Sequence, residues 1–198
     1  MDWQTLLAPL MLGVSLPALA ATAGQAAPNF SATDTQGRTV QLSDFKGRYV
    51  VLEWANPQCP FVRNHYNTRN MQGLQADWGQ RDVVWLSIDS SNKSGWSFMP
   101  PAKLDAWMHD KGAAQKAVLV DGDSAVAKLY QAKTTPHMFV IDPNGKIVYA
   151  GAIDDRPSTR PDDPAAAKNY VRTALTQAMS GTPVATANTT PYGCSIDY

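Results

Sequence analysis

Cysteine is scarce in this chain, with two in 198 residues, Cys59 and Cys194. That permits a single intramolecular bridge and excludes a disulfide-dense scaffold. Charge is scarce as well: charged residues make up 17%, against about 25% in an average globular domain. Neither sign dominates, since 17 Lys and Arg balance 17 Asp and Glu. No basic field is available to attract a phosphate backbone, so nucleic acid is not an expected partner. The three histidines, His65, His109 and His137, have spacings that fit no structural zinc pattern, and neither metal nor cofactor is expected. No apolar run makes a comfortable membrane span. The candidate stretch, Leu6 to Leu16, is short, broken by Pro9 and Gly13 and followed by Pro17.

That stretch reads instead as part of a processing signal. It leads into the small-residue triplet Ala18-Leu19-Ala20, so residues 1–20 are expected to be a secretory signal peptide, although Asp2 stands where a positive charge is usual. A periplasmic or secreted chain with no membrane span after processing follows. In such a compartment two cysteines bridge readily. A Cys59–Cys194 bond would span 135 residues, for which the chain-entropy argument gives about 5 kcal/mol at most.

Residues 21–27 are small and polar and are expected to form a flexible lead-in. Residues 28–181 read as one domain, and 182–198 as a flexible tail without periodicity. Within the domain, Thr39–Leu42, Tyr49–Trp54, Val83–Ile88, Ala117–Val120, Met138–Ile141 and Lys146–Ala150 have strand character. Helices are expected over Pro60–Trp78, Ala102–Lys111, Asp123–Tyr130 and Ala165–Met179. Asp142-Pro143-Asn144-Gly145 is a hairpin signal, because Pro presets φ and Asn-Gly tolerates the left-handed region. This order describes an α/β sandwich around a mixed sheet.

Cys59 stands at the end of a strand and directly before a helix that begins with Pro60. Unsatisfied N–H groups at a helix start favour a thiolate, and such positions lower a cysteine pKa from about 8.5 to between about 3.5 and 7.5. Arg63, one turn on, could add to this effect. The alternative is an inert buried cysteine. Pro136, in Thr134-Thr135-Pro136-His137, is either a simple turn residue or a cis-proline. Cys194 is either a resolving thiol or half of a static staple. His137 is a local hydrogen-bonding residue or, with Cys59, part of a copper site. Asp154 and Asp155 are a solvated loop before a helix or bind something near the site.

The stretch from Pro28 to Tyr149 resembles the redoxin branch of the thioredoxin superfamily, the alkyl hydroperoxide reductase and thiol-specific antioxidant group. Ala27-Pro28-Asn29-Phe30, Leu42-Ser43-Asp44-Phe45-Lys46-Gly47, Trp54-Ala55, Cys59-Pro60, Thr135-Pro136 and the 142–145 hairpin carry the likeness. Cys59-Pro60-Phe61-Val62, Thr134–His137, Gly151-Ala152-Ile153-Asp154-Asp155 and Tyr192-Gly193-Cys194-Ser195 are similar to a peroxiredoxin-like subgroup. The resemblance implies a thioredoxin-like three-layer sandwich with a mixed central sheet and an extended C-terminal tail. It also implies a cis Pro136 packed beside Cys59.

Two departures bear on activity. Thioredoxins carry a second cysteine three residues after the first, where this chain has Val62. Peroxiredoxins carry Thr or Ser three residues before the reactive Cys and Pro seven before it, where this chain has Asn56 and Leu52. The expected function is a thiol-dependent oxidoreductase, acting on peroxide or on disulfides through Cys59 and Cys194, with Arg63, Thr135 and Pro136 in the catalytic set. A reducing protein or small thiol would be its partner. The other class is a non-catalytic binding protein, either a copper carrier or a disulfide-stapled module.

Overall fold

The computed structural model describes residues 21–196; the signal-peptide reading of residues 1–20 lies outside them. In chain order the elements are β1 (Ser31–Asp34), β2 (Thr39–Gln41), β3 (Val50–Trp54), α1 (Pro60–Asn67), α2 (Asn70–Gly79), β4 (Val84–Asp89), α3 (Pro101–Asp110), β5 (Ala117–Val120), α4 (Ala125–Tyr130), β6 (Thr134–Thr135), β7 (His137–Ile141), β8 (Ile147–Gly151), α5 (Asp163–Ala166), α6 (Tyr170–Met179) and β9 (Cys194–Ser195).

The main sheet has the order β2-β1-β5-β4-β3-β7-β8. Its centre, β3, β4 and β5, is parallel, while β1, β7 and β8 join antiparallel. The parallel strands are the near-continuous apolar runs, as strands covered on both faces must be. Side chains alternate across β3. Val51 packs with Tyr66, Leu74, Trp85, Leu104, Val140 and Leu175 under α1, α2, α3 and α6. Leu52 and Trp54 face the other way, with Phe30, Ile88, Leu119, Tyr130 and Phe139 under α4 and the N-terminal segment. These are the three layers of an α/β sandwich.

Four expectations change. The helix expected over 60–78 breaks at Thr68, whose Oγ1 donates to the Asn64 carbonyl at 2.8 Å; Arg69 then takes a left-handed φ of 61° and α2 restarts. A side chain bonding back to the turn before it competes with helix propagation. The last helix is likewise split, because Lys168 N–H donates to Asp155 Oδ1 and Asn169 caps α6 by accepting from Arg172 N–H.

Residues 21–27 are not a flexible lead-in. Gly24 and Ala27 donate to the carbonyls of Ile147 and Gly145, both at 2.8 Å, and Ile147 donates to Gln25 at 2.9 Å. Nor does the tail hang free. Ala150 donates to the Ala187 carbonyl, Thr189 to that of Ala150 and Ile196 to that of Lys133, each at 3.0 Å. The physical reason is an open sheet edge: β8 ends the sheet, and both terminal segments satisfy backbone groups it would otherwise leave unpaired. Among the described residues no helix is long and apolar enough to cross a membrane.

Candidate functional site

β3 delivers the chain to Asn56, and a turn closed by Cys59 N–H to the Asn56 carbonyl (3.0 Å) sets Cys59 as the cap residue of α1. Pro60 occupies the first helical turn, where a missing N–H costs nothing. Cys59 is 1% exposed. It is joined to Cys194 by a disulfide with a Cα–Cα distance of 5.8 Å, inside the usual range. Cys194 is only half-buried.

The Thr135–Pro136 peptide is cis, and the Thr135 carbonyl oxygen lies 3.0 Å from Cys59 Sγ. β9 pairs antiparallel with β6, so Cys194 faces Thr135 and Ser195 faces Thr134. Gly193 makes this approach possible. Its φ of 127° is one that L side chains rarely adopt, and a Cβ there would collide with the Thr135 carbonyl. Cys59, Cys194, Thr135 and Pro136 are thus brought together by β3, α1, the β6–β7 junction and the tail. Arg63 is not among them. Its side chain is exposed and lines a separate surface hollow with Gln58, Pro60 and Asn64.

A hollow over the bridge is lined by Asn56, Asp89, Ser91, Trp96, Thr135 and Cys194, among others. Asn56 is fully engaged there. Its amide donates to Asp89 Oδ1 (3.4 Å), to Ser91 Oγ and to the Ser97 carbonyl (3.2 Å), while its oxygen accepts from Gln58 N–H at 2.6 Å. Burial pushes the Asp89 carboxyl above its usual range, against hydrogen bonds from Ser91 and Asn56 that pull it back. Trp96 is 80% exposed at the rim.

His137 does not face the sulfurs. Strand alternation puts it with Phe139, whose ring centroid is 4.6 Å away, in the layer opposite Cys59. Its Nδ1 accepts from Lys133 N–H at 3.2 Å, and burial lowers its pKa to about 3. Among the described residues no group of three or more His, Cys, Asp or Glu is placed to hold a metal ion.

Two buried polar clusters escaped sequence reasoning. Glu53, fully buried on β3, accepts from Trp85 Nε1 (2.7 Å), Tyr66 Oη (3.0 Å), Ser87 Oγ (3.0 Å) and Gln75 Nε2 (3.3 Å). Burial raises its pKa in opposition to these four donors. One signal was available: a lone acid inside the apolar run Tyr49–Trp54. The second cluster joins His65, Asp154 and Tyr192, from three distant segments.

A sequence profile of the AhpC/TSA family matches residues 23–150. The chain belongs to the AhpC/TSA family. It is similar to the thiol-disulfide oxidoreductase ResA of Bacillus subtilis (strain 168), 29% identical over 132 residues that cover 63% of this chain and 64% of ResA. The match therefore spans less than two thirds of that relative's length. An uncharacterized conserved protein from Geobacillus kaustophilus has a similar fold, with a TM-score of 0.79 at 26% identity, covering 93% of this chain and 98% of that one. The thioredoxin domain of a thiol-disulfide oxidoreductase from Bacteroides vulgatus superposes with a TM-score of 0.53 at 21% identity, over 65% of this chain and 86% of that one. This AhpC/TSA chain thus has a thioredoxin-like fold whose family profile stops at residue 150, well before the segment that carries Cys194.

Proposed function

We propose that this chain is an exported thiol–disulfide exchange protein whose working pair is Cys59 and Cys194, acting on disulfides rather than peroxides. The observation that carries this reading is the bridge itself: a buried cysteine at a helix start bonded to an only partly buried cysteine on the tail. An incoming thiolate reaches Cys194 Sγ, since Cys59 is covered. As the new S–S bond forms, the Cys59–Cys194 bond breaks and its electron pair departs on Cys59 Sγ. The N-terminus of α1 stabilises that thiolate, and a stabilised thiolate is the faster leaving group. A second thiolate, attacking the partner's sulfur of the mixed disulfide, releases Cys194 and completes the reduction. The reverse sequence oxidises a substrate dithiol. Thr135 and Pro136 shape the wall beside Cys59.

Exchange is favoured over peroxide reduction by Asn56. It occupies the position of the peroxiredoxin hydroxyl, yet its amide hydrogens are held by Asp89, Ser91 and Ser97, leaving none aimed at a peroxide. The likeness to ResA points the same way. Export accords with the leader-like residues 1–20 and with a bridge that an oxidising compartment would keep.

Insulin reduction by dithiothreitol, followed as turbidity, tests the proposal. Acceleration by wild type, abolished in Cys59→Ser and strongly reduced in Cys194→Ser, is expected. Unchanged activity in Cys59→Ser, or reduced protein that consumes hydrogen peroxide faster than it exchanges with disulfides, overturns it. The docked tail gives one specific reason to weigh a static staple. That reading requires a bridge that excess dithiothreitol leaves intact in folded protein.

A further inference from the structure

Three motifs remain unexplained by the bridge alone: His65 on α1, Asp154 in the segment after β8, and Tyr192, two residues before Cys194. The fold closes them into one buried chain. His65 is 1% exposed and Asp154 is 2% exposed. Asn70 Nδ2 lies 2.9 Å from His65 Nδ1, His65 Nε2 lies 3.1 Å from Tyr192 Oη, and Tyr192 Oη lies 2.6 Å from Asp154 Oδ1. Arg156 N–H also donates to Asp154 Oδ1, at 3.0 Å.

The direction of every bond follows from proton counting. An amide nitrogen can only donate, so His65 Nδ1 accepts from Asn70 and carries no proton. Burial lowers the His65 pKa to about 4, so the ring is neutral near pH 7 and its single proton sits on Nε2. Nε2–H therefore donates to Tyr192 Oη. Tyr192 spends its own proton on Asp154 Oδ1, where the chain ends; burial raises the Asp154 pKa, and the hydrogen bonds from Tyr192 and Arg156 pull it back. The Tyr192 ring is held independently, edge-on to Phe61 with centroids 5.7 Å apart. Asp154 Oδ2 is buried without a hydrogen-bond partner, so Asp154 depends on the tail hydroxyl for half of its compensation.

We propose that Tyr192, with Asp154 and His65 behind it, is a positioning group that keeps Cys194 docked over Cys59 after the bridge is reduced. The proposal deepens the exchange reading and rests on it. A tail that stays seated presents Cys194 to Cys59 at high effective concentration. Reclosure is then fast, and the bridge is thermodynamically harder to reduce. Without the hydroxyl, the reduced tail undocks and ring closure must order it again. The Thr189 contacts with Tyr149 and Ala152 seat the tail five residues before the sulfur, and Gly193 lets it pass the Thr135 carbonyl but brings no side chain to hold it. Tyr192 does.

The test compares wild type, Tyr192→Phe and Asp154→Asn. Phenylalanine keeps the Phe61 contact and removes one oxygen. The equilibrium constant for bridge formation against dithiothreitol, read by thiol labelling and mass spectrometry, is expected to fall about tenfold in Tyr192→Phe. That corresponds to about 30 mV for a two-electron couple. Chymotrypsin should cut reduced Tyr192→Phe and reduced Asp154→Asn after residue 192 several-fold faster than reduced wild type, and all three oxidised proteins equally slowly. Equilibrium constants within twofold of wild type, or equal cleavage rates of the reduced proteins, overturn the proposal. A role confined to general stability would lower the melting temperature of oxidised and reduced forms alike and leave the equilibrium constant unmoved. Neither readout requires turnover. An inactive wild type with a shifted constant therefore refutes the exchange reading alone, and an active wild type with an unshifted constant refutes only the latch.

Discussion

Replacing His137 by glutamine should flatten the acid side of the stability curve. The ring is buried between Phe139 and the Lys133 backbone, where burial first and the Lys133 charge second lower its pKa from 6.5 to about 3. The unfolded chain takes up a proton near pH 6.5 that the folded chain refuses until about pH 3. More protons on the unfolded state means that stability is full above the unfolded value and is lost as pH falls through the window between the two. Between pH 7 and pH 4.5 this single group costs about 2.5 kcal/mol, at about 1.36 kcal/mol per pH unit below 6.5. The substituted glutamine would keep an acceptor for Lys133 N–H and does not titrate. His65, lowered to about 4 by burial, contributes a slope of its own, but it is present in both proteins and cancels. Urea unfolding of the oxidised proteins at the two pH values provides the measurement. Wild type should lose about 2.5 kcal/mol more than His137→Gln on acidification. Losses that agree within about 1 kcal/mol would refute a buried, neutral His137.

Other perturbations follow from the same structure. Glu53→Ala leaves the donors of Trp85, Tyr66, Ser87 and Gln75 facing a cavity; a loss of about 3 kcal/mol or more in urea unfolding is expected. Gly193→Ala meets both the φ of 127° and the Thr135 carbonyl, so β9 should leave β6. The bridge should then be reduced at a dithiothreitol concentration about tenfold lower, since about 1–3 kcal/mol of backbone strain is at stake. Cys194→Ser removes a crosslink over 135 residues and should cost up to about 5 kcal/mol relative to oxidised wild type. Reduced wild type, melted in parallel, should show most of the same loss, because it lacks the same crosslink.

The sheet was legible because its signals are local. Tyr49–Trp54 and Val83–Ile88 are apolar almost throughout, and the 142–145 hairpin closes as its residues require, with Asp142 Oδ1 accepting from Asn144 and Lys146 N–H and Gly145 at a φ of 79°. Cys59 at a strand–helix junction was legible for the same reason. β1 was not, because a strand of four mostly polar residues, only one of them fully buried, resembles a loop. The tail was opaque because nothing in 182–196 repeats. Its order comes from backbone pairing with Ala150 and Lys133 and from Tyr192, whose partners are 38 and 127 residues away. Glu53 shows the same limit: its isolation in an apolar strand was visible, but its donors come from α1, α2 and β4.

In a Cys-x-x-Cys site both sulfurs share one helical turn, so breaking their bond separates neither from the other. Here Val62 stands where that second sulfur would be, and the partner thiol arrives on a segment that can leave. Bond making and tail docking are therefore linked. By whatever factor docking favours the bridge, the bridge favours docking. The linkage also governs access. With the bridge closed, Cys59 is 1% exposed and its neighbour β6 is paired with β9. A small thiol needs only the half-exposed Cys194, and its reaction rate should be indifferent to the tail. A folded protein that must reach Cys59 needs β9 to leave β6 first, and its rate should rise as the tail loosens. Substitutions at Tyr192 or Gly193 thus separate the two classes of partner: a variant faster with proteins and unchanged with glutathione marks Cys59 as the sulfur that meets protein substrates. A variant faster with neither places all exchange on Cys194.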